Sequence, residues 1–238
     1  MKRKAMNYLV MLLLVLLCGV GNSFGQPALV APPPPPPPVD ETMAPPPPLK
    51  MISPGVYEMG GCRIVKKDNR VEFPAEVNMD KGLLEYVIVG NSGKVHESLL
   101  RTAISPYALQ ISLLLLGVEG TTNPLGTQGE ARIPEGDRVR ILVSWQDKGK
   151  EKKVPVEQWI AKGNKPVGTI PWVFTGSVVM DGVFMAQADK SIVALFHDPI
   201  ALIDHQLVEG ASDEIWHVDS ASVPPAGTKV TVVIEKIS

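Results

Sequence analysis

Hydrophobic and polar residues alternate along several stretches after residue 60, and this period of two predicts β-strands. In Arg70–Val77, apolar side chains at 71, 73, 75 and 77 are separated by glutamates and a proline. We expect further strands over 62–66, 83–90, 191–196 and 229–237. Two hairpins are predicted, over 138–156 and over 172–187, the second around Asp181-Gly182, a dipeptide typical of tight turns. Consecutive hairpins favour antiparallel pairing.

One segment carries both a start and a stop signal for a helix. Ser105 is a good N-cap, Pro106 suits the first helical position, and Gly117 follows the last apolar residue. Apolar residues occupy almost every side of this segment. The pattern therefore predicts a helix over 106–116 that is buried on most of its faces.

The predicted elements define a fold class. A short helix is expected over 199–204, where Asp198 would serve as its cap. We predict an α+β fold: predominantly antiparallel β, with one well-defined buried helix (106–116) and one or two short helices, which allows sandwich-like packing.

The first 25 residues resemble a secretory signal peptide. Lys2, Arg3 and Lys4 precede an apolar run, and Ser23-Phe24-Gly25 places small residues three and one before Gln26. The run from Tyr8 to Val20 covers about 13 residues, fewer than the ~20 that span a bilayer. We expect an exported protein, in the periplasm, on the outer surface or outside the cell. A membrane anchor and a lipoprotein with Cys18 as its first mature residue remain open alternatives.

A proline-rich segment follows over residues 26–49, with 12 prolines between Pro27 and Pro48. Such a run adopts polyproline II, which at ~3.1 Å per residue would span roughly 70 Å. We predict a semi-rigid spacer, with recognition by a proline-binding partner as the alternative. A single globular domain is predicted over 50–238.

Charge and cysteine content exclude several classes. Without residues 1–25, 20 Lys and Arg face 25 Asp and Glu, the opposite of a nucleic-acid binder's balance. Cys62 is then the one remaining cysteine, so an internal disulfide and a four-cysteine metal or iron–sulfur site are excluded. We expect Cys62 to be a small buried side chain, with an intermolecular disulfide or a reactive thiol as alternatives. No cofactor is predicted.

Several short segments follow one another in an order typical of one bacterial family. They are Gly93-Lys94-Val95-His96-Glu97-Ser98-Leu99-Leu100, Leu113-Leu114-Leu115-Leu116-Gly117, Trp145, Trp172-Val173-Phe174-Thr175-Gly176-Ser177, Asp198-Pro199-Ile200-Ala201-Leu202 and Pro225-Ala226-Gly227-Thr228-Lys229-Val230. Over roughly residues 55–238 the chain resembles the YdjY-like domain, a largely uncharacterised family of bacterial envelope proteins. The resemblance implies a single exported domain without an established activity. Some relatives occur beside ferredoxin-type cysteine motifs, which this chain lacks, so no iron–sulfur role follows.

His96, Glu97 and Ser98 are the candidate catalytic residues, because a histidine, a carboxylate and a hydroxyl are the parts of a nucleophile–base–orienter set. On a strand, however, His96 and Ser98 share one face and Glu97 points to the other. The structural alternative is that these polar side chains tie a strand to the following helix.

The C-terminal third collects nitrogen and oxygen donors: His197, Asp198, Asp204, His205, Asp213, Glu214, His217 and Asp219. Their spacing fits no recognised metal-binding loop, so no metal site is predicted. Asp198, Trp172 and Trp216 are the candidate ligand-binding residues, since tryptophans can stack on sugars. Trp172 lies inside a strand pattern, so a core position is its structural alternative.

Together these observations favour a non-catalytic, exported envelope domain displayed on a proline-rich spacer. It would bind an envelope protein or polysaccharide, or contribute to a surface structure. Two alternatives remain: a metal-dependent or hydrolytic envelope enzyme that uses His96, Glu97 and Ser98, and an adhesive or pilus-associated subunit. The oligomeric state is not specified by the sequence.

Overall fold

The computed structural model describes residues 45–237, and strands dominate its secondary structure. In chain order the strands are β1 Lys50–Ser53, β2 Val56–Met59, β3 Cys62–Val65, β4 Arg70–Val77, β5 Tyr86–Gly90, β6 Ser98–Thr102, β7 Asp137–Asp147, β8 Lys150–Pro155, β9 Ile160–Lys162, β10 Lys165–Pro166, β11 Trp172–Phe174, β12 Val179–Met180, β13 Val183–Phe184, β14 Ser191–Ala194, β15 Ile203–His205, β16 Trp216–Val218 and β17 Lys229–Lys236. The predicted signal peptide and most of the predicted spacer lie outside the described residues, so those boundaries stay predictions.

Helices are few and short. The described residues contain α1 Pro106–Leu114 and α2 Met185–Asp189, with 3₁₀ turns at Lys66–Asp68, Val95–Glu97, Val156–Trp159 and Val208–Ala211. Ser105 caps α1 as expected, because its Oγ accepts a hydrogen bond from Ala108 N at 3.4 Å. Within residues 45–237, no helix has the length and apolar character needed to cross a membrane.

Eight strands close into a barrel. Each is hydrogen-bonded to the next in the order β4, β17, β7, β11, β15, β14, β5, β6. Strand β6 then pairs with β4 through Glu76↔Arg101 and Val77↔Leu100, which completes the ring. The pairs β14–β15 and β5–β6 are parallel. The other pairs in the ring are antiparallel.

Alternating apolar residues fill the barrel. On β17, Ile234 lies opposite Val71 of β4 on one side and Ile141 of β7 on the other. All three side chains are fully buried, and burying one such side chain contributes about 1.5–3 kcal/mol. Because apolar and polar residues alternate along these three strands, their apolar side chains lie on one face and together form a single core.

The closed barrel shows that the predicted α+β fold class is wrong: the fold is mainly β, and no sandwich is formed. Helix α1 also ends at Leu114, earlier than the predicted residue 116. Leu114 and Leu115, at the C-terminal end of the helix, are 48% and 38% exposed, although α1 contacts β3, β4 and α2. The helix is thus less deeply buried than its nearly uniform apolar pattern predicted.

Two smaller predictions fail in the C-terminal half. The helix expected over 199–204 is a turn followed by β15. Asp198 does not cap a helix there; its Oδ1 accepts a hydrogen bond from Ile200 N at 3.1 Å and stabilises the turn. The strand expected over 172–180 stops at Phe174, and the Asp181-Gly182 turn joins only the two-residue strands β12 and β13.

Candidate functional site

The predicted catalytic triplet lies on the connection between β5 and β6, in the 3₁₀ turn Val95–Glu97 and the first residue of β6. The His96 side chain is 76% exposed, and its Nε2 lies 3.3 Å from Glu97 Oε2. Ser98 is fully buried, and its Oγ accepts a hydrogen bond from Asn78 Nδ2 at 3.4 Å. No hydrogen bond joins His96 to Ser98 anywhere in residues 45–237. The structure therefore brings His96 and Glu97 together and leaves Ser98 apart.

The densest group of titratable side chains lies inside the protein. His197 follows β14, and Asp204 and His205 belong to β15, the parallel neighbour of β14. All three residues are fully buried, and their nitrogen and oxygen atoms approach within 4.8 Å of one another. We call these three residues the histidine–aspartate network.

The hydrogen bonds of His197 determine its charge. Its Nδ1 lies 3.0 Å from the carbonyl oxygen of Glu130, and its Nε2 lies 3.1 Å from that of His205. Because a carbonyl oxygen only accepts, both ring nitrogens must donate, and the ring is an imidazolium. Asp204 Oδ1 is 3.7 Å from Nε2 and supplies the counter-charge.

Asp204 is held by the backbone on both of its oxygens. The Asp198 N–H donates to Oδ2 at 3.0 Å, and the His205 N–H donates to Oδ1 at 2.7 Å. Burial raises the pKa of Asp204, while the His197 ring and these two N–H groups oppose the shift. The carboxylate is thus an integral part of the core.

His205 is neutral. Its Nε2 donates to the Leu195 carbonyl at 2.8 Å, and its Nδ1 accepts from the Leu207 N–H at 3.2 Å. This arrangement fixes one tautomer of an uncharged imidazole. Burial lowers the pKa of His205 to about 4, which agrees with the hydrogen bonds.

The network does not fit a metal ion. A ring nitrogen binds a metal through a lone pair, and both nitrogens of His197 carry protons that point at carbonyl groups. The lone pair of His205 Nδ1 already accepts from Leu207. Beside Asp204 the structure leaves a cavity of about 10 Å³, room for one water at most. A metal would have to break existing hydrogen bonds, so we interpret the network as structural.

The three candidate ligand-binding residues do come together, but around the network rather than on a surface. The rings of Trp172 and Trp216 lie edge-to-face with His205, with centroids 5.8 and 5.3 Å away. The backbone of Asp198 bonds to Asp204. All three are buried, and Trp216 Nε1 has no hydrogen-bond partner among the described residues. Their surroundings are those of a core.

A chain of hydrogen bonds links the network to the surface through Tyr86, which the sequence analysis missed. The Lys94 ammonium donates to the Tyr86 hydroxyl at 2.7 Å, and that hydroxyl donates to Asp198 Oδ2 at 2.7 Å. Burial and the Asp198 carboxylate raise the pKa of Tyr86, so it stays protonated. Tyr86 lies in a strand whose neighbouring residues are apolar, so the sequence pattern did not predict that its hydroxyl makes buried hydrogen bonds.

Lys94 and Asp198 belong to two of the segments on which the family resemblance rests, and Tyr86 joins those segments in space. The YdjY domain family matches residues 63–235, well over half of the chain. The chain belongs to the YdjY domain family. No curated protein and no solved structure matches it. The YdjY match runs from β3 into β17 and so contains the barrel, whereas β1 and β2 precede it.

The YdjY domain also has two contrasting sheet edges. Strands β1, β2 and β3 continue the main sheet beyond β4, so β1 is outermost, while β8 pairs only with β7. In β8, Lys150, Lys152 and Lys153 are exposed, and charged side chains on an edge discourage pairing with another chain. In β1, Met51 is 67% and Ile52 is 60% exposed. No strand within residues 45–237 covers the outer side of β1, which leaves it open to strand addition.

Proposed function

We propose that this YdjY domain is an exported, non-catalytic binding module that pairs through β1 with an extended segment of an envelope protein. The observation that carries the proposal is the edge of β1, where Met51 and Ile52 are exposed and no strand among residues 45–237 pairs with the outer side. Strand addition uses the backbone hydrogen bonds of such an edge for affinity and its side chains for specificity. In the same sheet, the lysines of β8 discourage pairing of that edge with another chain, and β1 has no comparable run of lysines.

Export is supported by the order of segments at the N-terminus. A basic stretch, an apolar run and a small-residue cleavage site occupy residues 1–25, and the proline-rich segment follows. A proline-rich spacer directly before β1 would hold the domain at a distance from an envelope surface. We expect the mature protein to begin at Gln26.

A protein partner fits better than a polysaccharide. Sugar stacking needs exposed aromatic faces, but Trp159, Trp172 and Trp216 are buried. The half-buried Trp145 packs edge-to-face on Trp159, and the Lys152 ammonium lies over it, 5.8 Å from its ring centre. The tryptophans therefore offer no open platform for a sugar ring.

The enzyme alternative receives less support from the geometry. His96 has no hydrogen bond to Ser98, whose hydroxyl is buried, and the histidine–aspartate network is closed to solvent. Burial raises the pKa of Cys62 to about 12, so its thiol stays protonated and is a poor nucleophile. A binding module, in contrast, requires no rearrangement of His96, Ser98, Cys62 or the histidine–aspartate network.

The test is site-specific photo-cross-linking in the cells that produce the protein. A photoreactive amino acid replaces Met51 in one variant and Val208, which is 66% exposed elsewhere on the surface, in the matched control. We expect an adduct with an envelope protein from position 51 and none from position 208. Equal yields from both positions, or an adduct with polysaccharide alone, would contradict the proposal.

One other outcome has a structural basis. If position 51 forms an adduct with a second copy of the chain, the same edge supports self-association, as an adhesive or pilus-associated subunit requires. The mass of the adduct separates this second candidate from binding to another envelope protein.

A further inference from the structure

A groove of about 330 Å³ lies beside β7 at a gap in the main sheet. Strand β8 pairs with β7 only as far as Leu142, and β11 pairs with it only as far as Val139. The chain between β8 and β11 leaves this sheet, since β9 and β10 form a separate small sheet with β16. The stretch of β7 around Arg140 therefore has neither strand beside it, and the groove lies there. We call it the arginine groove, because Arg138 and Arg140 line it.

The arginine groove has the size and composition of a ligand site. The buried residues Ile170 and Trp172 line it together with the half-buried Pro155 and Pro171. A neighbouring cavity of about 280 Å³ shares Pro155, so the groove continues along the protein surface. Small-molecule sites are concave spaces of roughly 300–1,000 Å³ with mostly apolar walls and a few polar groups. An apolar chain or ring can therefore be accommodated between these residues.

Arg138 supplies a cation that no acidic side chain neutralises. The nearby carboxylates are paired with other residues: Asp137 Oδ2 lies 2.9 Å from Lys236 Nζ. Glu235 Oε2 lies 3.6 Å from Arg140 Nε. The exposed Arg138 guanidinium has no ion pair within residues 45–237. A guanidinium presents five N–H donors in a planar fork, which matches the oxygens of a carboxylate or phosphate group.

The charge of the groove lining is positive. Two guanidinium groups stand against one carboxylate, because Glu157 is the only acidic residue among residues 45–237 in this lining. Glu157 Oε2 accepts a hydrogen bond from the buried Trp172 Nε1 at 3.4 Å, so the carboxyl group is turned toward the protein interior. Burial also raises the pKa of Glu157, which therefore loses its charge at a higher pH than an exposed glutamate. The groove thus attracts anions.

Strand geometry places both arginines on the same face of β7. Arg138 and Arg140 are exposed and alternate with the buried residues Val139 and Ile141. Two residues along a strand correspond to about 7 Å, so one anionic group can lie close to both guanidinium groups. Arg140 is already paired with Glu235 on the surface, and such exposed pairs are weak. Arg138 is therefore the principal contact, and Arg140 adds attraction at longer range.

We infer that the arginine groove binds an amphipathic anion: a carboxylate or phosphate group contacts the Arg138 guanidinium, and an apolar chain or ring lies against Pro155 and Pro171. The two parts of the groove act together. The guanidinium selects for negative charge, and the apolar residues select against small hydrated anions. This inference does not depend on which partner β1 binds.

Nuclear magnetic resonance titration of the full-length chain tests the inference, with the indole N–H of Trp172 and the amide N–H of Thr169 as reporters in the groove lining. The probes are octanoate and octyl phosphate, which carry the two anionic groups on the same apolar chain, and the neutral octanamide. We expect the anions to shift both reporters at low salt, and octanamide to bind at least about fivefold more weakly. The anion that binds more tightly identifies the headgroup.

Three variants assign the binding to the groove. Arg138→Gln should weaken binding of the anions about fivefold and leave octanamide binding unchanged, because only the charged contact is lost. Lys148→Gln is the matched control: it removes one positive charge at an exposed turn residue outside the groove lining and should leave every affinity unchanged. Thr169→Glu, at an exposed position in the lining, should weaken binding of the anions through repulsion while Arg138 is retained.

Three results would overturn the inference. The first is that neither anion shifts the Trp172 and Thr169 resonances at concentrations up to about 10 mM. The second is that octanamide binds as tightly as the anions, since the guanidinium would then play no part. The third is that Arg138→Gln binds the anions as tightly as the parent chain does. Melting curves of the variants show whether the fold is intact, so weaker binding cannot be mistaken for unfolding.

Discussion

The histidine–aspartate network and the outer edge of β1 represent opposite situations within one small domain. In the network, both rings and the carboxylate are buried and each is bonded to the backbone. Along β1, apolar side chains are exposed and the outer edge pairs with no strand among residues 45–237. The two histidines and the aspartate of the network therefore lie where no ligand reaches them. The ordinary residues Met51 and Ile52 lie where a partner can bind.

This comparison predicts a separation of effects. Changes in the network should lower the free energy of unfolding, whereas changes on β1 should remove binding and leave stability intact. The following variants test this separation, beginning with the one expected to have the largest effect.

The largest effect is expected for Asp204→Ala. Removing the carboxylate leaves the His197 imidazolium buried without its counter-charge and two backbone N–H groups without acceptors. We expect a loss of about 3–5 kcal/mol of unfolding free energy, measured by urea denaturation. Asp213→Ala, at an exposed position, is the control and should change stability by less than about 0.5 kcal/mol. Similar small losses in both variants would show that the network is not a structural element.

The second effect is a pH dependence that arises from His205. In the unfolded chain this histidine takes up a proton near pH 6.5, but in the folded chain only near pH 4. Between these values His205 binds more protons in the unfolded state, so its own contribution to stability falls by about 3 kcal/mol as the pH falls. The pKa of Asp204, which burial raises to about 7, gives a contribution of the opposite sign over the same range.

Denaturation curves between pH 7 and pH 4 measure this slope. Relative to the parent, His205→Gln should remove the loss of stability at lower pH that His205 causes, while the exposed His96→Gln should leave the pH dependence unchanged. If the slope survives His205→Gln, another group is responsible and the neutral buried tautomer is not the cause.

The third effect concerns the space around the network. A Cβ added at Gly210 would lie 2.0 Å from His197 Nε2, so the ring or the 3₁₀ turn Val208–Ala211 must move. We expect Gly210→Ala to cost about 1–3 kcal/mol, measured by thermal unfolding. At Gly126 the nearest atom to an added Cβ is 3.4 Å away, so Gly126→Ala is the matched control. Equal melting temperatures for the two variants would contradict the tight packing of His197.

Local sequence signals predicted part of this fold well. The alternation in Arg70–Val77 marks β4 with its correct bounds, and Ser105-Pro106 marks the start of α1. Closure of the barrel was not predictable in this way. It depends on the pairing of β4 with β6 and on two parallel pairs, contacts between segments that share no turn signal. The sheet order is a property of the whole chain.

The members of the histidine–aspartate network are visible in the sequence as nitrogen and oxygen donors, but no site was predicted from them. His197, Asp204 and His205 were among the donors noted in the C-terminal third, and Asp198, Trp172 and Trp216 surround them. Their burial follows from the barrel, so no spacing rule reveals it. The importance of β1 was also hidden, because an outer edge is defined only once the sheet order is known.

The central claim is that the domain binds its partner through β1, and two measurements on one variant test it most directly. Ile52→Glu is placed in the chain that carries the photoreactive residue at position 51, and cross-link yield in cells is measured together with unfolding free energy. We predict that the adduct with the envelope protein disappears while stability changes by less than about 0.5 kcal/mol. Val208→Glu should preserve both. An adduct that persists undiminished in Ile52→Glu would contradict binding through β1.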